Sequence, residues 1–231
     1  MQDKRNIVIT GGNRGIGLGL FKSFSLHHNV IITVRDEAKG IDALSKLNSE
    51  DNKSKYVIMD LEDSNSIENA KEIIEKEFGC VDILINNAGI FIKDYEVSAI
   101  ETDLESILKT FNINTLGALR VCKAMVPLMN ESGRIINISS GMGQLDHMES
   151  GSTAYRLSKT SLNALSKILS NELSSCGIKV NTICPGWVKT DMGGPNATLS
   201  VEESSSKIVD FALKKDFPSG KFLRHGHVIP W

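Results

Sequence analysis

The sequence contains no paired-cysteine motif, no long apolar run and no block of like charge, and each absence removes a class of protein. Its four cysteines, Cys80, Cys122, Cys176 and Cys184, stand far apart without a CxxC pair. That spacing argues against a disulfide framework or a zinc ribbon, and suits thiols used as small hydrophobes in a reducing cytoplasm. No histidine or charged set gathers around any of them to mark a catalytic thiol. The basic start, Met1 to Arg5, precedes an apolar stretch too short for a secretory leader or a membrane span. A cytoplasmic location away from membranes is the expectation. Lys and Arg total 26 against 28 Asp and Glu, a net charge of −2 without a basic stripe, so nucleic acid is not an expected partner. His225-Gly226-His227 has no Cys, Asp or Glu beside it to complete a metal set, and reads as a mobile C-terminal turn. With only five prolines and no Pro/Gly-rich linker, residues 1–231 are expected to form one domain.

What is present is an alternation of short β-branched runs with longer amphipathic stretches. Strands are expected at Asn6–Thr10, Val30–Val34, Tyr56–Met59, Ile83–Asn86, Arg134–Ser139 and Lys179–Cys184, with a weaker one at Lys221–Leu223. Helices are expected at Ile16–His27, Glu37–Asn48, Ser64–Phe78, Asp103–Met129, Thr153–Ser175 and Val201–Lys214. Runs apolar on both faces, separated by helices, imply an α/β fold of the doubly wound Rossmann type, with a mostly parallel seven-stranded sheet flanked by helices. The irregular segments Gly141–Gly151 and Asp191–Ser200 follow strands and are candidate pocket walls.

The first strand runs into Thr10-Gly11-Gly12-Asn13-Arg14-Gly15-Ile16-Gly17. Gly11 suits a tight turn, Gly15 lets backbone amides approach a pyrophosphate, and Gly17 permits close packing of helix on strand. The helix that starts there aims free N–H groups and a positive dipole end at the phosphates. The second strand ends Val34-Arg35-Asp36, where an NAD site usually carries an acid for the ribose 2′-hydroxyl. Val34 occupies that place, and Arg35 and Arg14 suit a 2′-phosphate, which favours NADP(H) over NAD(H). A one-residue slip would make Asp36 the ribose ligand instead. Tyr155 and Lys159 lie four apart on one helix face, where an ammonium can lower a phenol pKa from about 10 towards a useful acid/base. Ser139 and Ser140 end a buried strand upstream of them.

Taken with Asn86-Asn87-Ala88-Gly89, Asn114 and Pro185-Gly186-Trp187-Val188-Lys189-Thr190, these motifs resemble the short-chain dehydrogenase/reductase family. The resemblance runs from Thr10 to Trp231 and looks closest to the carbonyl-reductase and C-factor-like branch. It implies reduction of an aldehyde or ketone, with Tyr155 as proton donor and Lys159 binding the nicotinamide ribose and lowering the Tyr155 pKa. Ser140 would orient the carbonyl, with Ser139 as the alternative, and Asn114 would hold a relay water. Asp60 would contact the adenine amino group, Asn87 and Gly89 would lie along the cofactor, and Val188 and Thr190 would hold its carboxamide. Asn13, Ile16, Leu61 and Pro185 complete the implied cofactor set, while Asn86 would be structural. Asp191 to Pro195 would form a flap, and Met142, Leu145, Met148, Trp187 and Met192 an apolar wall. Relatives associate as homodimers or homotetramers, and monomeric carbonyl reductases resemble the chain too. A cofactor-binding signalling protein with incidental turnover is the competing reading, and an epimerase of the extended branch fits the glycine spacing less well.

Overall fold

A computed structural model describes residues 4–47 and 54–231. Eight strands form one sheet: β1 (Asn6–Thr10), β2 (Asn29–Val34), β3 (Lys55–Ile58), β4 (Val81–Asn86), β5 (Met129–Ile138), β6 (Lys179–Cys184), β7 (Phe222–Arg224) and β8 (His227–Val228). Their order is β3-β2-β1-β4-β5-β6-β7-β8, parallel throughout except for β7 with β8. The chain winds outward from β1 in both directions, so β1 and β4 flank the point where the order reverses. Loops beyond their carboxyl ends part there and leave a crevice.

Helices α1 (Gly15–Ser25), α2 (Glu37–Ser45), α3 (Ser64–Phe78), α4 (Leu104–Phe111), α5 (Gly117–Met125), α6 (Thr153–Glu172) and α7 (Val201–Ala212) cover both faces. Alternate residues of each strand feed opposite layers. Val8, Ile31, Leu84, Ile135 and Val180 pack with Ile67 and Ile74 of α3, Val121 of α5 and Leu169 of α6. Ile7, Ile9, Ile32, Ile83 and Ile136 pack with Phe21 and Phe24 of α1 and Ile208 and Phe211 of α7. Double burial explains why the strands read as unbroken apolar runs rather than as an alternation.

Beyond shifts of one to three residues at element ends, the structure departs from the sequence expectation in three places. An eighth strand appears because His225 (φ +51°) and Gly226 (φ +81°) make a two-residue turn between β7 and β8. Two positive φ values in succession give the twist that a hairpin needs, so the expected mobile turn is a hairpin. The expected helix Asp103–Met129 is broken in the middle by a π turn at Asn112–Leu116, and a 3₁₀ turn with Pro127 then hands the chain to β5 at Met129. Arg120 follows the break closely, donating to the Asn112 carbonyl (3.3 Å) and side chain (2.7 Å). The third difference is at α2, which stops at Ser45; the expected end at Asn48 lies outside the described residues. Among the described residues no helix is long and apolar enough to cross a membrane.

Gly12 shows how tightly β1 joins the glycine loop. A Cβ there would stand 2.2 Å from the Ile32 Cγ2 in the core. Gly12→Ala must therefore displace β2 or the loop, and should cost about 1–3 kcal/mol, the usual range for overpacking. Urea denaturation checks this: an unchanged midpoint and slope would contradict the packing described.

Candidate active site

The cofactor end begins with an uncapped helix. Arg14 precedes α1 in an extended conformation, its side chain makes no cap bond, and the first turn holds no acid. Free N–H groups and the dipole of α1 therefore face the crevice without competition, as an anion site requires. Gly17 lets α1 lie against the loop, because a Cβ there would meet the Gly11 carbonyl oxygen at 2.2 Å. Asn87, at the end of β4, donates to the Thr10 and Gly11 carbonyls at 2.9 and 3.1 Å. Thr10 Oγ1 returns the tie, accepting from the Asn87 and Ala88 N–H groups at 3.0 Å each. These bonds fix the cradle to the central strands, leaving it shaped for a pyrophosphate. Asn86, beside it, is buried and donates to Asn137 at 2.8 Å, the structural role expected for it.

A cavity of about 1400 Å³ runs from this cradle to Tyr155. Its size exceeds the roughly 300–1,000 Å³ of an ordinary small-ligand pocket, leaving room for a dinucleotide and a second small molecule. The residues assigned to the cofactor, from Gly11 through Asp60, Leu61 and Pro185 to Thr190, all line it. Asp36 does not; its carboxylate caps α2, accepting from the Lys39 N–H at 3.2 Å. The alternative ribose ligand is thus committed to a helix end. Arg35 lines the cavity, and Lys39 from the first turn of α2 lines it with Arg35. Arg14 also lines it, yet its guanidinium is turned across the cavity to Asp191, at 2.8 Å. Lys39 is therefore the cation beside Arg35 that the strand-end motif did not reveal.

At the other end α6 brings Tyr155 and Lys159 against the end of β5. Ser139 turns inward, donating to the Lys159 carbonyl at 3.3 Å, whereas Ser140 accepts from the Met142 N–H at 3.1 Å and lies close enough to the Tyr155 hydroxyl to influence its titration. Of the two hydroxyls, Ser140 is the one that acts on the phenol. Lys159 Nζ donates to the Ile138 carbonyl at 2.8 Å and stands 5.6 Å from the Tyr155 ring centre. Asn114, in the π turn, accepts from the Ile90 N–H at 2.8 Å and donates to the Ile90 carbonyl and Ser158 Oγ at 2.9 and 3.0 Å. Its side chain ties the loop after β4 to α6. Gly89 keeps the neighbourhood open, since a Cβ there would stand 2.9 Å from Asn114 Oδ1 and 3.6 Å from Lys159 Nζ.

Electrostatics at this end differ from the expectation. Burial raises the Tyr155 pKa above that of an ordinary phenol, against the opposing Ser140 hydrogen bond and with a smaller upward push from Cys184. Burial also lowers Lys159 to about 8. The causes acting on Tyr155 are burial, Ser140 and Cys184, and burial is the cause acting on Lys159. Desolvation disfavours the charged form of both groups, raising the phenol and lowering the ammonium.

The substrate side is formed partly by residues that the sequence motifs miss. Phe91 packs on Tyr155 with ring centres 4.8 Å apart, and Tyr95 meets Phe91 edge-on at 5.0 Å. Met192 Sδ lies 3.9 Å from the Tyr155 hydroxyl, which places the 191–195 segment over the phenol. That segment is held by the residues before it, with Trp187 Nε1 donating to the Gly193 carbonyl at 2.8 Å and the Gly193 N–H donating to Thr190 Oγ1 at 3.0 Å. Met142, Trp187 and Met192 line the cavity as expected; Leu145 and Met148 do not, because the 145–148 turn faces solvent and bonds the Trp231 carbonyl. Among the described residues no group of His, Cys, Asp and Glu could hold a metal.

A doubly wound sheet with a phosphate cradle at its reversal point and a Ser–Tyr–Lys cluster at the far end defines a dinucleotide-binding α/β protein. The sequence pattern of the short chain dehydrogenase family matches residues 5–198, and the chain belongs to that family. It is 30% identical to "Carbonyl reductase [NADPH] 1" of Bos taurus, with 97% of each chain covered. Among solved structures, the carbonyl reductase Sniffer of D. melanogaster superposes with a TM-score of 0.88 at 31% identity, covering 99% of this chain and 100% of that one. The NADPH-bound carbonyl reductase from chicken fatty liver gives 0.88 and 31%, covering 99% of both.

The depressed pKa of Lys159 has a consequence for stability. Folded Lys159 is deprotonated above about pH 8, whereas an ordinary lysine holds its proton to 10.5. Stability rises with pH wherever the unfolded chain binds more protons, so this residue contributes a rise between those values. Lys159→Met lacks it. The melting temperature of the unaltered protein should therefore gain on that of the variant as pH increases from about 8 towards 10.5. Parallel melting curves across that range would rule out the buried, low-pKa lysine.

Proposed function

We propose that this protein reduces an aldehyde or ketone with NADPH, and that Tyr155 delivers the proton to the carbonyl oxygen. The observation that carries the reading is the shared cavity: the pyrophosphate cradle forms one end, and Ser140, Tyr155 and Lys159 the other. The names of the relatives point the same way. The preference for NADPH is supported by Arg35 and Lys39 at the adenosine end and by the engagement of Asp36 as a helix cap. Bound there, the cofactor would supply the hydride, and the protein's part is positioning and proton delivery.

Ser140 and Tyr155 are read as a pair of donors to the substrate oxygen, placed to stabilise the negative charge that develops on it. Burial helps here, because it keeps the phenol protonated through the neutral range and ready to donate. Lys159, anchored on the Ile138 carbonyl, would present its remaining hydrogens to the nicotinamide ribose. Phe91, Tyr95, Met142 and Met192 would exclude water from the carbonyl. Because both core layers run along the same sheet, we read residues 1–231 as one domain.

Tyr155→Phe removes the proton donor and keeps the ring on Phe91, so kcat should fall by roughly 10²–10⁴-fold while NADPH affinity changes little. Steady-state reduction of an aldehyde panel checks it, and near-normal turnover would refute the role of Tyr155. Rates for the unaltered protein should show no phenol titration through the neutral range, since burial moves that pKa upward. Arg35→Asp should shift the preference towards NADH, because a charge-assisted hydrogen bond to the 2′-phosphate contributes about 1.5–3 kcal/mol. Equal NADPH and NADH affinities in the unaltered protein, by cofactor-fluorescence titration, would count against the 2′-phosphate site.

A further inference from the structure

Among the described residues, Arg224 at the catalytic end has no carboxylate partner. Arg224 is the last residue of β7, in register with Cys184 of β6, and its side chain lines the cavity. Its Nε donates to Cys184 Sγ at 3.3 Å, a soft and weak acceptor, and among the described residues no carboxylate pairs with it. Arg156, the other arginine on this part of the wall, is matched by Glu149 at 3.1 Å. The guanidinium also lies beside the catalytic loop. A Cβ on Gly141, the residue after Ser140, would stand 2.4 Å from Arg224 Nη2 and 3.8 Å from Cys184 Sγ. Cys184 in turn is close enough to Tyr155 to influence its titration. Arg224, Cys184, Gly141, Ser140 and Tyr155 therefore form one contiguous patch. The charges felt by the neighbouring His225, which also lines the cavity, are all positive: Lys207, Arg224 and His227.

A half-buried guanidinium is costly to leave without a partner, and its planar fork matches a carboxylate best. Resting on the reading of this cavity as a carbonyl-reducing site, we propose that Arg224 recognises a carboxylate on the substrate, so that the preferred substrates are oxo acids or carboxylated aldehydes rather than neutral carbonyl compounds. Lys159 does not compete for this role, being held on the Ile138 carbonyl. The apolar wall of Phe91, Met142 and Met192 would take the body of the molecule, and Arg224 would fix its charged end.

Matched acid and ester substrates separate this from a purely structural role for Arg224. Phenylglyoxylate, 3-formylbenzoate and 4-formylbenzoate are compared with their methyl esters, using NADPH and the full chain. At least one acid should show a KM about tenfold or more below that of its ester, the scale of a charge-assisted hydrogen bond. Arg224→Met should abolish that difference by raising the KM of the acid, while ester kinetics stay within about twofold, and Arg224→Lys should restore part of it. An acid-to-ester ratio that is the same in Arg224→Met as in the unaltered protein would overturn the proposal, as would an equal loss for both substrates. If the unaltered protein reduces no acid and no ester, the carbonyl-reduction reading fails. Binding of terephthalate, followed by tryptophan fluorescence, then decides the assignment of Arg224: loss of binding in Arg224→Met supports it and unchanged or absent binding overturns it.

Discussion

The seating of α6 on the end of β5 is the constraint on which the catalytic end depends. Gly143 makes it possible, because a Cβ there would fall 2.7 Å from the carbonyl carbon of Lys159 and prise the loop from the helix. The contact is then locked by buried and partly buried polar groups. Asn163 and Thr160 donate to the Gly143 carbonyl at 3.0 and 3.1 Å, and Ser139 donates to the Lys159 carbonyl at 3.3 Å. Deeper down, Asn137 donates to Ser166 Oγ at 2.8 Å, and Ser166 Oγ donates to the Leu162 carbonyl at 2.7 Å. A buried network of this kind tolerates few alternatives, since each broken bond strands a group in a dry interior. Register between strand end and helix is therefore fixed, and with it the meeting of Ser140 with Tyr155.

The same dryness sets the chemistry. Tyr155 and Lys159 are both buried, and burial works against the charged form of each, raising the phenol and lowering the ammonium. The resulting pair is a firmly protonated donor beside a lysine with a titration near about 8. Such a site is suited to giving a proton rather than to storing a phenolate. At the adenosine end the conditions are opposite. Arg14 and Asp191 leave 65% and 78% of their side chains exposed, so their ion pair contributes only about 0–1 kcal/mol and can be exchanged for a stronger partner. Strong fields are thus confined to the catalytic end, and exchangeable ones to the mouth.

Much of this was readable in the residues themselves. β1 and β6 match their expected bounds, as does α3, because continuous β-branched runs and a 3.6-residue apolar period are local signals. The glycines of the first loop, the strand-end Arg35 and the i, i+4 pair Tyr155 and Lys159 were likewise evident from spacing alone, and all of the expected cofactor residues line one cavity. Local order could not show the π turn at Asn112–Leu116. That break accompanies a close approach, where a Cβ on Gly117 would come within 3.0 Å of the Leu61 Cβ, and no helical periodicity records it.

Which chemical groups are present, and their order along the chain, was determined by the sequence by itself. The tertiary structure alone decided what each group faces. Asp36 became a helix cap rather than a ribose ligand because α2 starts where it does. Ser140 rather than Ser139 acts on the phenol because consecutive residues leaving a strand point to opposite sides, and the Ser139 hydroxyl is engaged by the Lys159 carbonyl. The Tyr155 pKa rose instead of falling because desolvation depends on enclosure by distant segments, to which a YxxxK spacing is blind. Arg224, far along the chain from every motif, joined the site only because β7 pairs with β6 and brings its last residue beside Cys184.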